Sequence, residues 1–341
     1  LLALSFSAFF SIDTQLLRNQ GISLIISLIA FFIFSHANFQ RIKKSWKNIY
    51  ILSLISLIIV LIIGVESRGA VRWISLFGLN IQVSEIVKPF LLLSIAGYLS
   101  EDEGRSLRTF LFTLFFLMPI AFLIYKQPDL GSAVIFVLVV ILTLLVYGFR
   151  FIWFVLVLLP LLLVLPSLWG FLHEYQRQRF LTFFNPTRDP LGTSYNIVQA
   201  IIAVGSGTFF GKGLSEGTQS SLRFLPERHT DFIFATLSES LGFFGSGIIL
   251  LCFGVILFRI FYIFQNTDDA FIKIFAASSF FLISVQAFIN IGMNLGMLPV
   301  VGITLPFVSY GGNSLLANFI LLGILTAISG SSRKSAILEI Q

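Results

Sequence analysis

The 341-residue chain is 57% hydrophobic and 11% charged, with a mean hydropathy of +0.95. A soluble domain carries about a quarter charged residues, so this chain could not cover a water-facing surface; a soluble globule is excluded and much of its exterior must face lipid. The formal net charge of +6 suits cytoplasmic loops, no nucleic acid is expected as a partner, and the single cysteine, Cys252, excludes an intrachain disulfide or a cysteine metal cluster.

A helix needs about 20 apolar residues to cross the hydrocarbon with its backbone satisfied internally. Apolar runs predict about ten spans, near 1–11, 21–36, 49–65, 84–99, 109–125, 131–148, 151–170, 232–258, 271–296 and 312–330. The expected fold class is all-α, a polytopic integral membrane protein forming one membrane domain. Helices one to seven occupy residues 1–170, a large extracellular loop 171–231, and helices eight to ten with a cytoplasmic tail 232–341. The chain opens at Leu1 inside an apolar stretch, so the first span is expected to begin upstream, and no cleavable signal peptide is expected. Trp153 and Trp169 flank the seventh span as interfacial anchors would.

Arg41, Lys43, Lys44 and Lys47 crowd one short loop and Arg105 and Arg108 another, with Arg150, Arg259, Lys273, Arg333 and Lys334 on the same side. That side is expected to be cytoplasmic, and an even number of spans returns both termini to it. The long polar segment then falls on the outer face, with a glycine series at Gly205, Gly207, Gly211, Gly213 and Gly217. Its length predicts short interfacial helices within it.

Ionisable groups at membrane depth cost roughly 2.5 kcal/mol or more, so each is a candidate for function. Glu85 and Lys88, at i and i+3, share a helix face within ion-pair reach, as a structural bridge or as part of a site. Asp231 ends the polar run Pro226 to Asp231 and is followed at once by Phe232, Ile233 and Phe234. A carboxylate held at this boundary, partly stripped of water, is suited to accept a proton as a general base; it is equally suited to cap a helix, and the two roles can coexist. Glu239, a further eight residues along, lies about 12 Å deeper on the helix axis and is expected to be buried in a polar contact between helices. His173 and His229 lack metal-ligand spacing, so zinc is not expected, and the glycine series lacks the P-loop order.

Several ordered blocks are more specific. They are Arg68 to Ile74 (RGAVRWI) with Gln82 to Lys88 (QVSEIVK), and Lys126 to Ser132 (KQPDLGS). The long loop adds Arg177, Gln178 and Arg179, Asn185 and Pro186, Tyr195, Gln199 and the glycine series. Leu225 to Phe234 (LPERHTDFIF) and Leu298 to Gly312 (LPVVGITLPFVSYGG) follow. In this order they resemble the SEDS family of cell-wall proteins (RodA, FtsW and SpoVE) along essentially the whole chain. Departures are small: Val83 stands where the family has Pro, Ser240 where it has Glu and Asn313 where it has Ser.

The resemblance implies a peptidoglycan glycosyltransferase that polymerises lipid II on the outer face of the bacterial cytoplasmic membrane, working with a class B penicillin-binding protein. PERHTDFIF and PVVG are more similar to the RodA branch than to the FtsW branch, which favours elongation over division. A single inverting displacement needs one base, and Asp231 occupies the family's catalytic position. The leaving diphosphate needs cations rather than an acid. Glu85 and Lys88 are therefore expected to organise the donor head group, while Arg68, Arg72, Arg177, Arg179, Lys212, Arg228 and His229 bind substrate or position loops. Gln127, Asp129, Ser309 and Tyr310 join Glu239 as expected buried polar residues. A divalent cation, Mg2+ or Mn2+, would also serve the diphosphate. Two other classes stay open. A lipid II flippase would need charges at mid-depth, whereas the candidates here concentrate near the outer boundary. A scaffold would serve only to hold a transpeptidase.

Overall fold

The computed structural model describes residues 1–67, 70–76, 79–102, 105–168, 170, 174–184, 194–214, 216–222 and 224–338. In chain order the elements are α1 (Leu2–Ile12), α2 (Thr14–Ser35), α3 (Phe39–Lys44), α4 (Trp46–Ile63), β1 (Val65–Ser67), β2 (Ala70–Leu76) and β3 (Leu79–Gln82). There follow α5 (Val83–Ser100), α6 (Leu107–Lys126), α7 (Leu130–Tyr147), α8 (Phe151–Leu168), α9 (Glu174–Phe184), α10 (Tyr195–Ser206) and α11 (Thr218–Ser221). The chain ends with α12 (Ile233–Gln265), α13 (Ala270–Asn294) and α14 (Gly312–Leu338). Among the described residues α2, α4, α5, α6, α7, α12, α13 and α14 are long and apolar enough to cross a bilayer; α1, α10 and the Phe151–Leu163 part of α8 are shorter apolar helices. This is a polytopic helical membrane protein.

The helices divide between two compact units. One comprises Leu1–Gln20, Arg150–Gly254 and Gln286–Tyr310, the other Gly21–Phe149, Val255–Val285 and Gly311–Gln341.

In the second unit, side chains accept the orphan N–H groups at helix starts: Asn38 from Arg41 for α3, Ser106 from Thr109 for α6, and Asp129 from Ser132 for α7. The α5 helix is the most enclosed span of this unit, and it approaches α4 closely enough that a Cβ on Gly97 would overlap Trp46. The strands form a three-stranded antiparallel sheet in the order β1-β2-β3, with Trp73 opposite Gln82 and Ile74 opposite Ile81. Periodicity within the apolar spans did not predict this sheet. Its β-branched and aromatic residues alternate with polar ones too briefly to stand out between two spans. Asn313 at the start of α14 donates to the Asn80 carbonyl of β3 at 2.9 Å, so a position that departs from the family pattern fastens a helix to the sheet.

In the first unit the decisive feature is a break in α12. Gly242 has φ +68° and ψ −162°, outside helical space. A broken helix frees backbone groups that lipid cannot satisfy, and here the 207–213 segment takes them up. Phe243 and Phe244 donate to the carbonyls of Thr208 (2.9 Å) and Phe209 (3.1 Å), while Lys212 and Gly213 donate to those of Glu239 (2.9 Å) and Ser240 (3.0 Å). Gly211, at φ +84°, makes the approach possible, since a Cβ there would collide with the Ser240 carbonyl. Ala200 and Ala203 of α10 pack on Leu225, Phe232 and Ala235, seating the loop helix on the beginning of α12.

Candidate active site

Two polar clusters, one in each unit, hold the ionisable residues singled out by the sequence. The first surrounds Asp231, which is partly exposed two residues before α12 begins. Its backbone carbonyl accepts hydrogen bonds from Nδ2 of Asn290 (3.0 Å) and Nδ2 of Asn294 (2.9 Å), both on α13. Asn290 Nδ2 also donates to the Ile303 carbonyl, and Asn294 Oδ1 accepts the Ala235 N–H at 3.0 Å. The first turn of α12 is thus capped from α13, through a side chain that also positions Asp231.

The fastening extends backwards along the chain. The Thr230 carbonyl accepts from Ser309 Oγ at 2.7 Å, the His229 carbonyl from the Tyr310 N–H at 2.8 Å, and the Arg228 carbonyl from Thr236 Oγ1 at 2.9 Å. Ser309 Oγ in turn accepts the Leu305 N–H. The His229 ring meets Tyr310 edge to face, and Tyr310 packs likewise on Phe9. Four consecutive carbonyls ending at Asp231 are therefore held by the 303–310 corner, α13 and α12, which fixes the backbone from which the carboxylate projects.

Gly302, at φ +72°, brings backbone beside this carboxylate. A Cβ placed there would lie 3.6 Å from Asp231 Oδ2 and 3.6 Å from Arg179 Nη1. The guanidinium of the exposed Arg179 on α9 and the Asp231 carboxylate thus face one point of the chain. Arg177, one turn away from α9's start, donates to the Gly170 carbonyl at 2.8 Å. Arg228 is buried, and its guanidinium donates to the Ser220 carbonyl. That contact makes Arg228 a strut within the loop.

Lys212 and Glu239 form the deeper part of this cluster. Glu239 is fully buried, accepts the N–H groups of Gln219 and Ser220 at 2.9 Å each, and lies 3.7 Å from Lys212 Nζ. Its carboxylate sits at the start of α11, so the contact runs from α12 to a loop helix and stabilises that helix's free N–H groups.

The second cluster lies at the start of α5 and α7. Lys88 Nζ donates to Glu85 Oε1 at 2.5 Å, with Lys88 only 2% exposed and Glu85 9%. Ser132 Oγ is 3.5 Å from the same oxygen. Asp129 accepts from Gln82 Nε2 and Ser84 Oγ, each at 3.2 Å, besides capping α7. Gln127 is buried and donates to the Leu57 carbonyl at 3.0 Å, which ties this corner to α4. Arg72 of β2 is half-buried, and its Nε has no hydrogen-bond partner among the described residues. Arg68, Trp169, His173, Asn185, Pro186, Arg188 and Arg223 lie outside the described residues.

Sequence reasoning passed over Asn290, Asn294 and Gly302. Two asparagines at i and i+4 inside the apolar run 271–296 are a detectable signal. A carboxamide in hydrocarbon is expected to find a hydrogen-bond partner across the helices. No group of three or more His, Cys, Asp and Glu side chains converges among the described residues. Mg2+ is usually held by one or two carboxylates together with substrate phosphates, so a cation arriving with a diphosphate would need fewer protein ligands than such a group.

The chain matches the family model FtsW/RodA/SpoVE, described as cell cycle protein, over residues 3–334. It is 40% identical over 293 residues to the peptidoglycan glycosyltransferase MrdB of Escherichia coli K12, covering 84% of this chain and 79% of that protein. Its fold superposes on a chain from a peptidoglycan synthase complex that coordinates polymerization and crosslinking, with TM-score 0.83, 29% identity and coverage of 97% and 95%. It also superposes on the rod shape determining protein RodA of Thermus thermophilus, with TM-score 0.71, 27% identity and coverage of 97% and 93%. The order of its motifs and the match along nearly its whole length place the chain in the FtsW/RodA/SpoVE family.

Proposed function

We propose that this chain is a peptidoglycan glycosyltransferase, polymerising lipid II into glycan strands by an inverting displacement in which Asp231 is the general base. The observation that carries the base assignment is the fixation of its backbone. Four successive carbonyls through Asp231 are held, leaving the carboxylate to project from a preorganised frame beside Arg179.

In the reaction an acceptor sugar hydroxyl attacks the anomeric carbon of a sugar linked through diphosphate to a polyprenol. The carbon–oxygen bond to the diphosphate breaks as the new glycosidic bond forms, and the hydroxyl proton passes to the Asp231 carboxylate. The departing diphosphate takes the bonding electron pair as an anion, so cations serve it better than an acid would. Arg179 suits this role by its guanidinium, which can bind two phosphate oxygens at once. Lys88, held by Glu85, and Arg72, with its spare Nε donor, are assigned to the donor head group. Arg177 and His229 are assigned to loop positioning, and Lys212 and Arg228 to the frame of the loop itself.

The positive loops around Lys43, Lys44 and Arg108 support a cytoplasmic face there, with both termini on it and Asp231 on the outer face of a bacterial cytoplasmic membrane. A class B penicillin-binding protein is the proposed partner. The support is the resemblance to a chain of a complex that both polymerises and crosslinks. Cell-wall elongation is the proposed process, supported by the PERHTDFIF motif and by the rod-shape name of a structural relative. The test is polymerisation of purified lipid II by folded Asp231→Asn protein together with its partner. Glycan chains should be lost while lipid II binding persists; polymerisation at the unaltered rate would remove Asp231 from the mechanism.

A further inference from the structure

Asn290 is fully buried on α13, and its carboxamide nitrogen donates to carbonyls from distant parts of the chain, Asp231 at 3.0 Å and Ile303 at 2.7 Å. A carboxamide has two N–H donors, so both are spent. We infer that Asn290 is a positioning residue for the transfer reaction: it clamps the backbone of Asp231 to that of Ile303 and so sets the width of the slot in which the acceptor hydroxyl meets the carboxylate. The inference rests on Asp231 being the general base.

The two clamped segments are the walls of that slot. One carries the Asp231 carboxylate. The other carries Gly302, immediately before Ile303, whose bare α-carbon leaves room beside the carboxylate: a Cβ there would stand 3.6 Å from Asp231 Oδ2. The neighbouring contacts have other tasks. Asn294 ties Asp231 to Ala235 in the first turn of α12, and Thr236 ties Arg228 to the same helix, which fixes the first wall by itself. Ser309 and Tyr310 hold the carbonyls of Thr230 and His229, before the aspartate, to the far end of the 303–310 corner. Asn290 joins the aspartate itself to the residue next to Gly302.

The residue type follows from the demand. Two carbonyl oxygens that share one buried point call for a neutral group with two N–H bonds, since a lysine or arginine would bring a charge into the span. Asparagine is the shortest side chain that carries such a group. Its orientation is decided by the same partners: turned over, the carboxamide would set its oxygen against both carbonyls. As it stands, Oδ1 faces Asn294 Nδ2 at 3.4 Å, so the two asparagines, one turn apart, support each other.

Loss of the clamp leaves Asp231 its bond from Asn294 but frees the spacing between the walls. A base and the hydroxyl it deprotonates must lie within about 2.6–3.2 Å, and a misplacement of about 1 Å costs on the order of a hundredfold in rate.

The test is polymerisation of purified lipid II by the chain together with its partner, with lipid II binding sites counted in the same preparation, so that kcat is expressed per binding-competent site. Asn290→Leu, similar in volume and without a donor, should lower kcat per site about a hundredfold while KM changes by less than about threefold. Asn290→Asp has the same shape and, buried, takes up a proton, which leaves one O–H donor for two carbonyls. Its kcat per site should fall between those of the leucine variant and the unaltered chain, and it carries the test alone if the leucine variant does not fold. A purely structural role would reduce the number of sites and leave kcat per site unchanged; that result in a folded variant, or a loss carried by KM, would overturn the proposal. Asp231→Asn measured alongside separates the two readings. If it is inactive, an unchanged kcat per site in the Asn290 variants overturns the clamp alone; if it polymerises at the unaltered rate, the base assignment falls and the clamp with it.

Discussion

Asn294 holds Asp231 through its backbone: the carboxamide nitrogen donates to the aspartate carbonyl at 2.9 Å while the carboxamide oxygen accepts the Ala235 N–H at 3.0 Å. One side chain on α13 therefore sets both the first turn of α12 and the point from which the carboxylate projects. Asn294→Ala leaves the Ala235 N–H without its acceptor, in a place where an orphan donor costs about 1–3 kcal/mol. The Tm in detergent should fall accordingly. The kcat for lipid II polymerisation should fall further than stability explains, with KM little changed, because displacing a catalytic group by about 1 Å costs on the order of a hundredfold. A folded Asn294→Ala protein with unaltered kcat would deny the residue its positioning role.

The buried Glu85 and Lys88 pair makes a separate prediction about charge. Removing one member leaves the other uncompensated, so Lys88→Met should destabilise the protein by about 3–5 kcal/mol. Glu85→Gln/Lys88→Met removes the stranded carboxylate and should recover most of that stability. Thermal denaturation of the single and double variants measures the difference. If the pair organises the donor head group, polymerisation stays low in the double variant even though the fold is restored. Recovery of activity together with stability would leave the pair a purely structural bridge.

The spans and the candidate carboxylates were legible in the sequence because a bilayer imposes one rule on every residue. Apolar runs such as 130–147 must be helical, and a charge such as Glu239 must find partners. Its partners were not legible. Residues 219 and 220 reach Glu239 only because the 207–213 segment pairs with the broken α12, and a lone glycine in an apolar run gives no sign that it is Gly242, rather than Gly247 or Gly254, that breaks the helix. The two asparagines stand in plain view in the apolar run 271–296. Their importance lies in which carbonyl they reach across 59 and 63 residues of chain, and no local pattern encodes that.

The break at Gly242 is itself open to test. An alanine there would force an L side chain into φ +68°, and its Cβ would press on the Phe209 carbonyl at 2.6 Å. Backbone at this φ and ψ is essentially restricted to glycine and costs roughly 1–3 kcal/mol for another residue, and the collision is with backbone that cannot swing aside. Gly242→Ala should therefore cut the yield of folded protein sharply. Gly247→Ala, on the same helix with no atom within 4 Å of the added Cβ, should be neutral. Equal yields from the two variants would mean that the stitch between α12 and the 207–213 segment is dispensable.

Gly302 provides the finest probe of the site. An added Cβ would meet Asp231 Oδ2 and Arg179 Nη1 at 3.6 Å each, which is ordinary contact, so there is room for a methyl group. The cost to the fold is then the backbone penalty at φ +72°, about 1–2 kcal/mol. In the proposed mechanism the cost to function is larger, because the methyl group covers the face shared by the carboxylate and the guanidinium, where an acceptor hydroxyl and a diphosphate oxygen would approach. Gly302→Ala should show a small drop in Tm and a large drop in kcat/KM for lipid II. A matching loss in both would reduce Gly302 to a turn residue. An unaffected kcat/KM would place the reacting sugars on some other side of Asp231.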